Sequence, residues 1–142
     1  ISPLLPFNHT SYYKQEMGTS LHKVFFSIEP LFDSEQYEQP KIITNRIEED
    51  FMLNSKRSIN FDPGFLSLYN LMLLSTKNFS HRIPLKEGIY SEVTLIYQKK
   101  TYTALPWTYP DFISEPYLEV LLSIRSLYKK QLDNLLSTEK SS

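Results

Sequence analysis

The sequence predicts an α+β fold, in which an antiparallel sheet of hairpins packs against helices and a long helix ends the chain. The first observation is a hairpin signal. The β-rich stretches SHRIPL and IYSEVTLIY are separated only by KEG, and the glycine of this loop suits a position that needs positive φ. The second observation is a stretch from about Glu115 to Leu136, in which apolar residues recur at helical spacing.

The length and composition indicate one globular domain. A chain of 142 residues can bury a single core, so we assign residues 1–142 to one domain with a polar tail at residues 137–142. Hydrophobic residues make up 41% of the chain and charged residues 22%, which is ordinary for a soluble protein. No apolar run approaches the roughly 18 residues that a membrane span needs. We therefore expect a cytoplasmic protein.

Charge, cysteine content and motif spacing exclude several classes of function. The net charge is −1, which predicts neither nucleic acid nor an anionic membrane as a partner. The chain has no cysteine, which excludes disulfides, thiol catalysis and cysteine zinc sites. The histidines show no metal-ligand spacing, and no P-loop pattern occurs among the glycines. No metal and no cofactor are predicted.

Local signals divide the first third of the chain into a helix and a strand. SYYKQEM is predicted to form a short helix, with Thr10 as its N-cap and Gly18 as its C-terminal stop. KVFFSIEPL is apolar and rich in β-formers, which predicts a strand that Pro30 ends.

A second helix is predicted from Pro40 to about Leu53, after a turn over EQYE that Asp33 or Ser34 caps. The polar side of this helix carries Arg46, Glu48, Glu49 and Asp50 and is predicted to be a solvated face. The apolar face would consist of Ile43, Ile47 and Phe51.

The stretch RSINFDPGFLSLYNLMLLST predicts a short strand followed by a buried helix. RSINF has strand character, and Asp62 can serve as an N-cap with Pro63 at the first helical position. The residues from Phe65 to about Ser75 are apolar nearly all round, so this helix is expected deep in the core.

Two predicted hairpins decide which side chains meet. The loop at residues 86–88 would place Ile83 opposite Ser91 and Arg82 opposite Glu92. A second turn at Lys99-Lys100, which is not a preferred turn sequence, would pair Tyr97 with Tyr102 and Leu95 with Ala104.

Because strand side chains alternate, these registers predict a core face and a mixed face. The core face would carry Ile83, Leu85, Val93, Leu95, Tyr97 and Ala104, and His81 would point with them. The mixed face would carry Arg82, Glu92, Thr94, Thr103 and Trp107. A slip of one residue would exchange the two faces.

Five motifs in order, SYYKQEMG, NFDPGFLSL, LLSTKNFSHRIPL, GIYSEVTLIY and LPWTYPDF, resemble the uncharacterised bacterial family known as domain of unknown function 4416. The resemblance extends from about Phe7 to the final helix. It implies a further strand and helix ahead of the position matching Phe7, which this chain lacks, and it implies no established activity. The family's motif positions fall here on Tyr13, Glu16, Gly18, Asp62, Pro63, Gly64, Lys77, Asn78, His81, Arg82, Glu92, Trp107, Tyr109, Pro110 and Asp111.

The stretch STKNFSHRIPL has two interpretations. Lys77, Asn78 and Arg82 can clamp an anion, because arginine offers a fork for phosphate or carboxylate and lysine a point charge. Alternatively, Lys77 and Asn78 end a helix, and Arg82 pairs across strands with Glu92.

The other candidates also have a functional and a structural interpretation. His81 is either a general base or a hydrogen-bonded histidine facing the core, and Glu92 with Asp111 is either a catalytic carboxylate pair or two separate structural groups. Trp107 and Tyr109 could stack a base or sugar, or could seat the last helix. The secondary candidates are Tyr13, Glu16 and His81.

Two hypotheses of function follow. The preferred one is a site for a small anionic or nucleotide-like ligand, with or without catalysis, built from Lys77, Asn78, Arg82, Glu92, Trp107, Tyr109 and Asp111. The alternative is a non-catalytic module that binds another protein or its own copy. The sequence does not determine the ligand, the reaction or the oligomeric state.

Overall fold

The computed structural model describes residues 1–7, 17–18 and 20–141, and in this part of the chain it confirms the α+β class. The α-helices whose bounds lie within the described residues are α1 at Gln39–Asp50 and α2 at Glu115–Ser141. Short 3-10 helices occur at Ser34–Gln36 and Pro110–Ile113. The strands are β1 Leu5–Pro6, β2 His22–Lys23, β3 Gly64–Leu66, β4 Asn70–Ser75, β5 Ile83–Pro84, β6 Tyr90–Gln98 and β7 Thr101–Ala104.

The strands form two sheets. β1 and β2 pair antiparallel, with Leu5 opposite Lys23. The larger sheet has the strand order β3-β4-β6-β5, and β7 also pairs with β6. By contacts, the chain divides into two compact units, Ile1–Gly64 with Leu73–Glu92 and Phe65–Met72 with Val93–Ser142.

The structure confirms the hairpin registers. Ile83 lies opposite Ser91 in the β5–β6 hairpin, and Gly88 in its loop has a φ of 73°. Tyr97 lies opposite Tyr102 in the β6–β7 hairpin. Both turn residues of the second hairpin, Lys99 and Lys100, have positive φ, at 51° and 63°. This is the conformation of a type I′ turn, whose twist matches the strands, and it forms here without glycine or asparagine.

The predicted helix over residues 65–75 is wrong, because this segment is the β3–β4 hairpin. Its closing bond joins the N–H of Ser67 to the carbonyl of Asn70 at 2.9 Å. Asp62 caps no helix and instead accepts a hydrogen bond from Nδ2 of Asn60. A short run that is apolar on all sides has no periodicity that separates a buried helix from a strand buried on both faces.

Helix α1 is present, and Arg46, Glu49 and Asp50 are exposed as predicted, but Glu48, Ile43 and Phe51 are not placed as predicted. Glu48, predicted to face solvent, is buried and accepts the backbone N–H of Phe61 at 2.7 Å. Lys41 is also buried, and its Nζ donates to the carbonyl of Phe61 at 3.0 Å. Ile43 and Phe51 are exposed. Since Phe61 lies outside the strands, Lys41 and Glu48 turn inward and bind its peptide groups.

Other elements differ from the prediction in extent. Of KVFFSIEPL only Lys23 lies in a strand, and RSINF forms none. Helix α2 continues past Leu136 to Ser141. The predicted first helix lies largely outside the described residues, although Gly18 has the positive φ of a helix stop. No helix in the described part of the chain is both long and apolar enough to cross a membrane.

The second unit has a core between β6, β7 and α2. Its most buried members include Leu95, Tyr102 and Leu121. The hydroxyl of Tyr102 donates to the carbonyl of Ser67 at 3.3 Å. The guanidinium carbon of Arg125 lies 3.5 Å from the centre of the Tyr97 ring. This arginine therefore joins α2 to the sheet by a cation–π contact.

Candidate functional site

The candidate residues 77–82 lie in the connection between β4 and β5. The prediction that Lys77 and Asn78 end a helix is wrong, because a strand precedes them. The hydroxyl of Ser75, at the end of β4, accepts the N–H of Lys77 at 3.1 Å. The N–H of Arg82 donates to the carbonyl of Phe79 at 3.0 Å. These bonds hold the connection in a compact turn beside the start of β6.

Glu92 is the centre of a side-chain cluster that we call the Glu92 cluster, made of Ser75, Lys77, His81, Arg82 and Glu92. Its Oε1 lies 2.6 Å from Nε2 of His81 and 3.2 Å from Nε of Arg82. The predicted contact between Arg82 and Glu92 is therefore present. The side chains of His81 and Glu92 are each 13% exposed, so water screens these contacts only partly.

Alternation along the strand predicted that His81 and Ile83 would both face the core, but Ile83 is exposed and His81 does not share its direction with a core residue of β5. It contacts Glu92 instead. Strand β5 begins only at Ile83, so the alternation of side chains does not extend back to residue 81. The Phe79 ring packs edge-on against the imidazole, with 5.4 Å between the ring centres.

The guanidinium of Arg82 is held on two of its three nitrogens. Nε donates to Glu92, and Nη1 donates to the carbonyl of Lys77 at 2.8 Å and to the hydroxyl of Ser75 at 3.2 Å. No group among the described residues accepts a hydrogen bond from Nη2. The fork is thus fixed in orientation while one of its ends remains able to bind a further acceptor.

The charges of the Glu92 cluster favour an anion. Glu92 offsets the charge of Arg82, and Lys77, whose carbonyl accepts a hydrogen bond from the guanidinium, is a second cationic residue of the cluster. This arrangement can hold an oxyanion, and it places an imidazole on a carboxylate, an arrangement that can also move a proton.

The Glu92 cluster lies outside the cavities found in the first unit of the described chain. One, of about 670 Å³, is lined by Glu35, Gln36, Glu38, Gln39 and Lys86. Another, of about 270 Å³, is lined by Met17, Leu53, Asn54, Lys56, Arg57 and Ser58.

Trp107, Tyr109 and Asp111 belong to the second unit. The indole Nε1 of Trp107 donates to the carbonyl of Val93 at 2.8 Å, and Tyr109 is exposed. Asp111 is only 4% exposed, and its carbonyl accepts from Ser114 at the start of α2. Arg82 belongs to the first unit and Trp107 to the second, so the expectation that they share a face stays a prediction.

The remaining candidates are placed as follows. Asn78 is exposed, whereas Tyr13 and Glu16 lie outside the described residues. Among the residues that the structure describes, no three His, Asp or Glu side chains come together as metal ligands would.

Two features of the structure were not predicted from the sequence. Lys41 and Glu48 lie seven positions apart and so share a helix face. This spacing can be read from the sequence, but the apolar residues of the same helix favoured a different buried face. Ser75 carries no signal in the sequence, since its contact with Arg82 exists only after β4 turns back towards β6.

The fold and the cluster define an α+β protein with a part-buried cluster of cationic side chains, a histidine and a carboxylate. The family model described as Domain of unknown function (DUF4416) matches residues 1–128 of the chain, and the chain belongs to this family. No curated protein and no solved structure matches the chain.

Proposed function

We propose that the Glu92 cluster binds a small anionic ligand, with Arg82 as the principal contact. The observation that carries this proposal is the state of the guanidinium: Nε and Nη1 are bonded to Glu92, Ser75 and the Lys77 carbonyl, while Nη2 has no acceptor among the described residues. An arginine oriented in this way loses little side-chain entropy when it binds a phosphate or carboxylate.

Each other member of the cluster has a role in this proposal. Glu92 orients Arg82, and His81 holds Glu92 from its other side. Lys77 contributes its carbonyl, which accepts a hydrogen bond from Nη1 of Arg82 and so helps to orient the guanidinium, and it adds a second positive charge to the cluster.

The test is a thermal-shift screen of the 142-residue chain against inorganic phosphate, sugar phosphates, nucleotides and carboxylates. A ligand at a hundred times its dissociation constant stabilises the folded chain by about 2.7 kcal/mol. Arg82→Ala and Arg82→Lys should lose this stabilisation, because neither variant has a guanidinium fork. Lys86→Ala should keep it, since Lys86 is a cation outside the cluster.

A stabilisation that persists in Arg82→Ala, or the absence of any stabilising anion with folded protein, would contradict the proposal. The class of anion that stabilises the chain then selects the reactions to assay.

A second candidate function is protein interaction, including self-association. Its support is a set of exposed apolar side chains in the segment after β2, Val24, Phe26 and Ile28. Exposed apolar residues that group together mark interaction surfaces more often than isolated ones do.

A further inference from the structure

Residues 21–25 are hydrogen-bonded along one edge to the N-terminal residues, and on the other edge Val24 has no hydrogen-bond partner among the described residues. The N–H of Phe7 donates to the carbonyl of Leu21 at 3.0 Å, and the N–H of Ser2 donates to the carbonyl of Phe25 at 2.8 Å. Lys23 pairs with Leu5. The odd-numbered residues 21, 23 and 25 therefore use their backbone groups towards the N-terminal strand.

The even-numbered residues face the opposite way. In an antiparallel strand, successive residues direct their backbone N–H and C=O groups to alternate edges. Val24, which lies within this bonded stretch, thus presents its groups at the outer edge, and Phe26 and Ile28 would do so when pairing extends the strand to residue 28. Within the described part of the chain, none of the three has a hydrogen bond. An open strand edge is a template for another strand.

When residues 23–29 are paired antiparallel with a second copy, apolar residues lie opposite apolar residues and opposite charges face each other. About a two-fold axis at Phe26, Val24 lies opposite the partner's Ile28, and Phe26 lies opposite its own copy. Lys23 lies opposite the partner's Glu29, so the charges at both ends of the stretch KVFFSIE are complementary across the axis.

The hydrogen-bonding geometry agrees with the same axis. The pairs 24 with 28 and 26 with 26 would be the hydrogen-bonded pairs, which need the backbone groups that the outer edge offers. The pairs 25 with 27 and 23 with 29 would be the closer, non-bonded ones. Pro30 has no N–H and would end the pairing.

We propose that residues 24–28 pair antiparallel with the same residues of a second copy, to form a closed dimer through a four-stranded sheet. This inference deepens the second candidate function and does not depend on the anion site. Val24, Phe26 and Ile28 of each copy cover one another on one face of the new sheet. Since five residues make a small interface, the dimer forms in a concentration-dependent manner.

The first test is sedimentation velocity over a range of protein concentrations. The wild-type chain should pass from monomer to dimer. Phe26→Ser should raise the dissociation constant at least about tenfold, because it removes the apolar pair on the axis. Ile43→Ser is the matched control, because Ile43 is 52% exposed and Phe26 is 56% exposed. It should leave dimerisation unchanged.

The second test measures register, and it uses the absence of cysteine from the chain. Phe26→Cys places one thiol on the axis, where paired α-carbons are about 5.5 Å apart and a disulfide fits. Oxidation should give a cross-linked dimer. Ser27→Cys should not, since its two copies would be about 8 Å apart, beyond the reach of a disulfide.

A charge exchange provides the third test. Lys23→Glu should weaken the dimer, and the double variant Lys23→Glu with Glu29→Lys should restore it.

The proposal fails if the chain is monomeric at every concentration, or if Ile43→Ser weakens the dimer as much as Phe26→Ser does. It also fails if Ser27→Cys cross-links as readily as Phe26→Cys, or if open-ended oligomers form.

Discussion

At the residue scale, burial changes the chemistry of Tyr102. The side chain is 2% exposed, and desolvation raises its pKa from 10.0 to about 12, with Arg125 acting in the opposite direction. The phenol therefore keeps its proton at a pH where an exposed tyrosine loses it. The neutral hydroxyl can donate to Ser67 throughout the neutral range.

This shift makes the free energy of unfolding depend on alkaline pH. Between pH 10 and pH 12 the folded state holds the Tyr102 proton while the unfolded state loses it, so stability falls as the pH rises through this window. Tyr102→Phe should lose about 1 kcal/mol at neutral pH, because it lacks the hydrogen bond, and should lack this part of the alkaline loss. Denaturant unfolding at several pH values measures both effects.

The control for this prediction is Tyr69→Phe, because Tyr69 is exposed. It should leave the alkaline profile of the wild type unchanged. An unchanged profile in Tyr102→Phe would show that Tyr102 is not the group that titrates.

Glu48 is a second buried residue whose replacement should lower the free energy of unfolding. Its carboxylate accepts the N–H of Phe61, so Glu48→Ala leaves a backbone donor without its partner. We expect the free energy of unfolding to fall by about 1–3 kcal/mol. The neighbouring Glu49→Ala should change it by no more than about 0.5 kcal/mol, because Glu49 is exposed. Equal effects in urea unfolding would contradict the buried role of Glu48.

At the element scale, the β6–β7 turn forms with lysines in a conformation that favours glycine. Lys100 has a φ of 63°, where a side chain costs roughly 1–2 kcal/mol. Lys100→Gly should therefore raise the free energy of unfolding by about 1 kcal/mol. Lys86→Gly should lower it, since Lys86 is outside the positive-φ residues of the described chain. Thermal unfolding of both variants compares them, and a destabilised Lys100→Gly would refute the turn geometry.

Helix α1 shows why an element can be predicted while its orientation is not. Pro40 at the start of the helix and the local propensities predict its position to within three residues at its C-terminal end. Its orientation depends on Phe61, whose peptide groups take Lys41 and Glu48 as partners. A satisfied buried peptide group outweighs the exposure of Ile43.

At the scale of the whole molecule, the two proposed sites are independent. Arg82→Ala should remove ligand stabilisation and leave dimerisation unchanged, whereas Phe26→Ser should do the reverse. Failure of one proposal therefore leaves the other standing.

The Glu92 cluster was predictable only in part. The pairing of Arg82 with Glu92 follows from the loop length and the strand alternation, and the structure contains it. The contacts of Arg82 with Ser75 and Lys77 require the chain to reverse after β4, and the sequence predicted a helix there. Because residues 65–75 were predicted as a helix, the contacts of Arg82 with Ser75 and Lys77 could not be predicted.

The sequence by itself determined the turns and registers of the β5–β6 and β6–β7 hairpins and the α+β class. These depend on residues that are neighbours along the chain, such as Gly88 in its three-residue loop. The tertiary structure decided whether residues 65–75 are a helix or a hairpin, which face of α1 is buried, and which groups surround Arg82. Those choices depend on partners distant in sequence, because buried backbone and charged groups bind whatever acceptors and donors the whole fold brings to them.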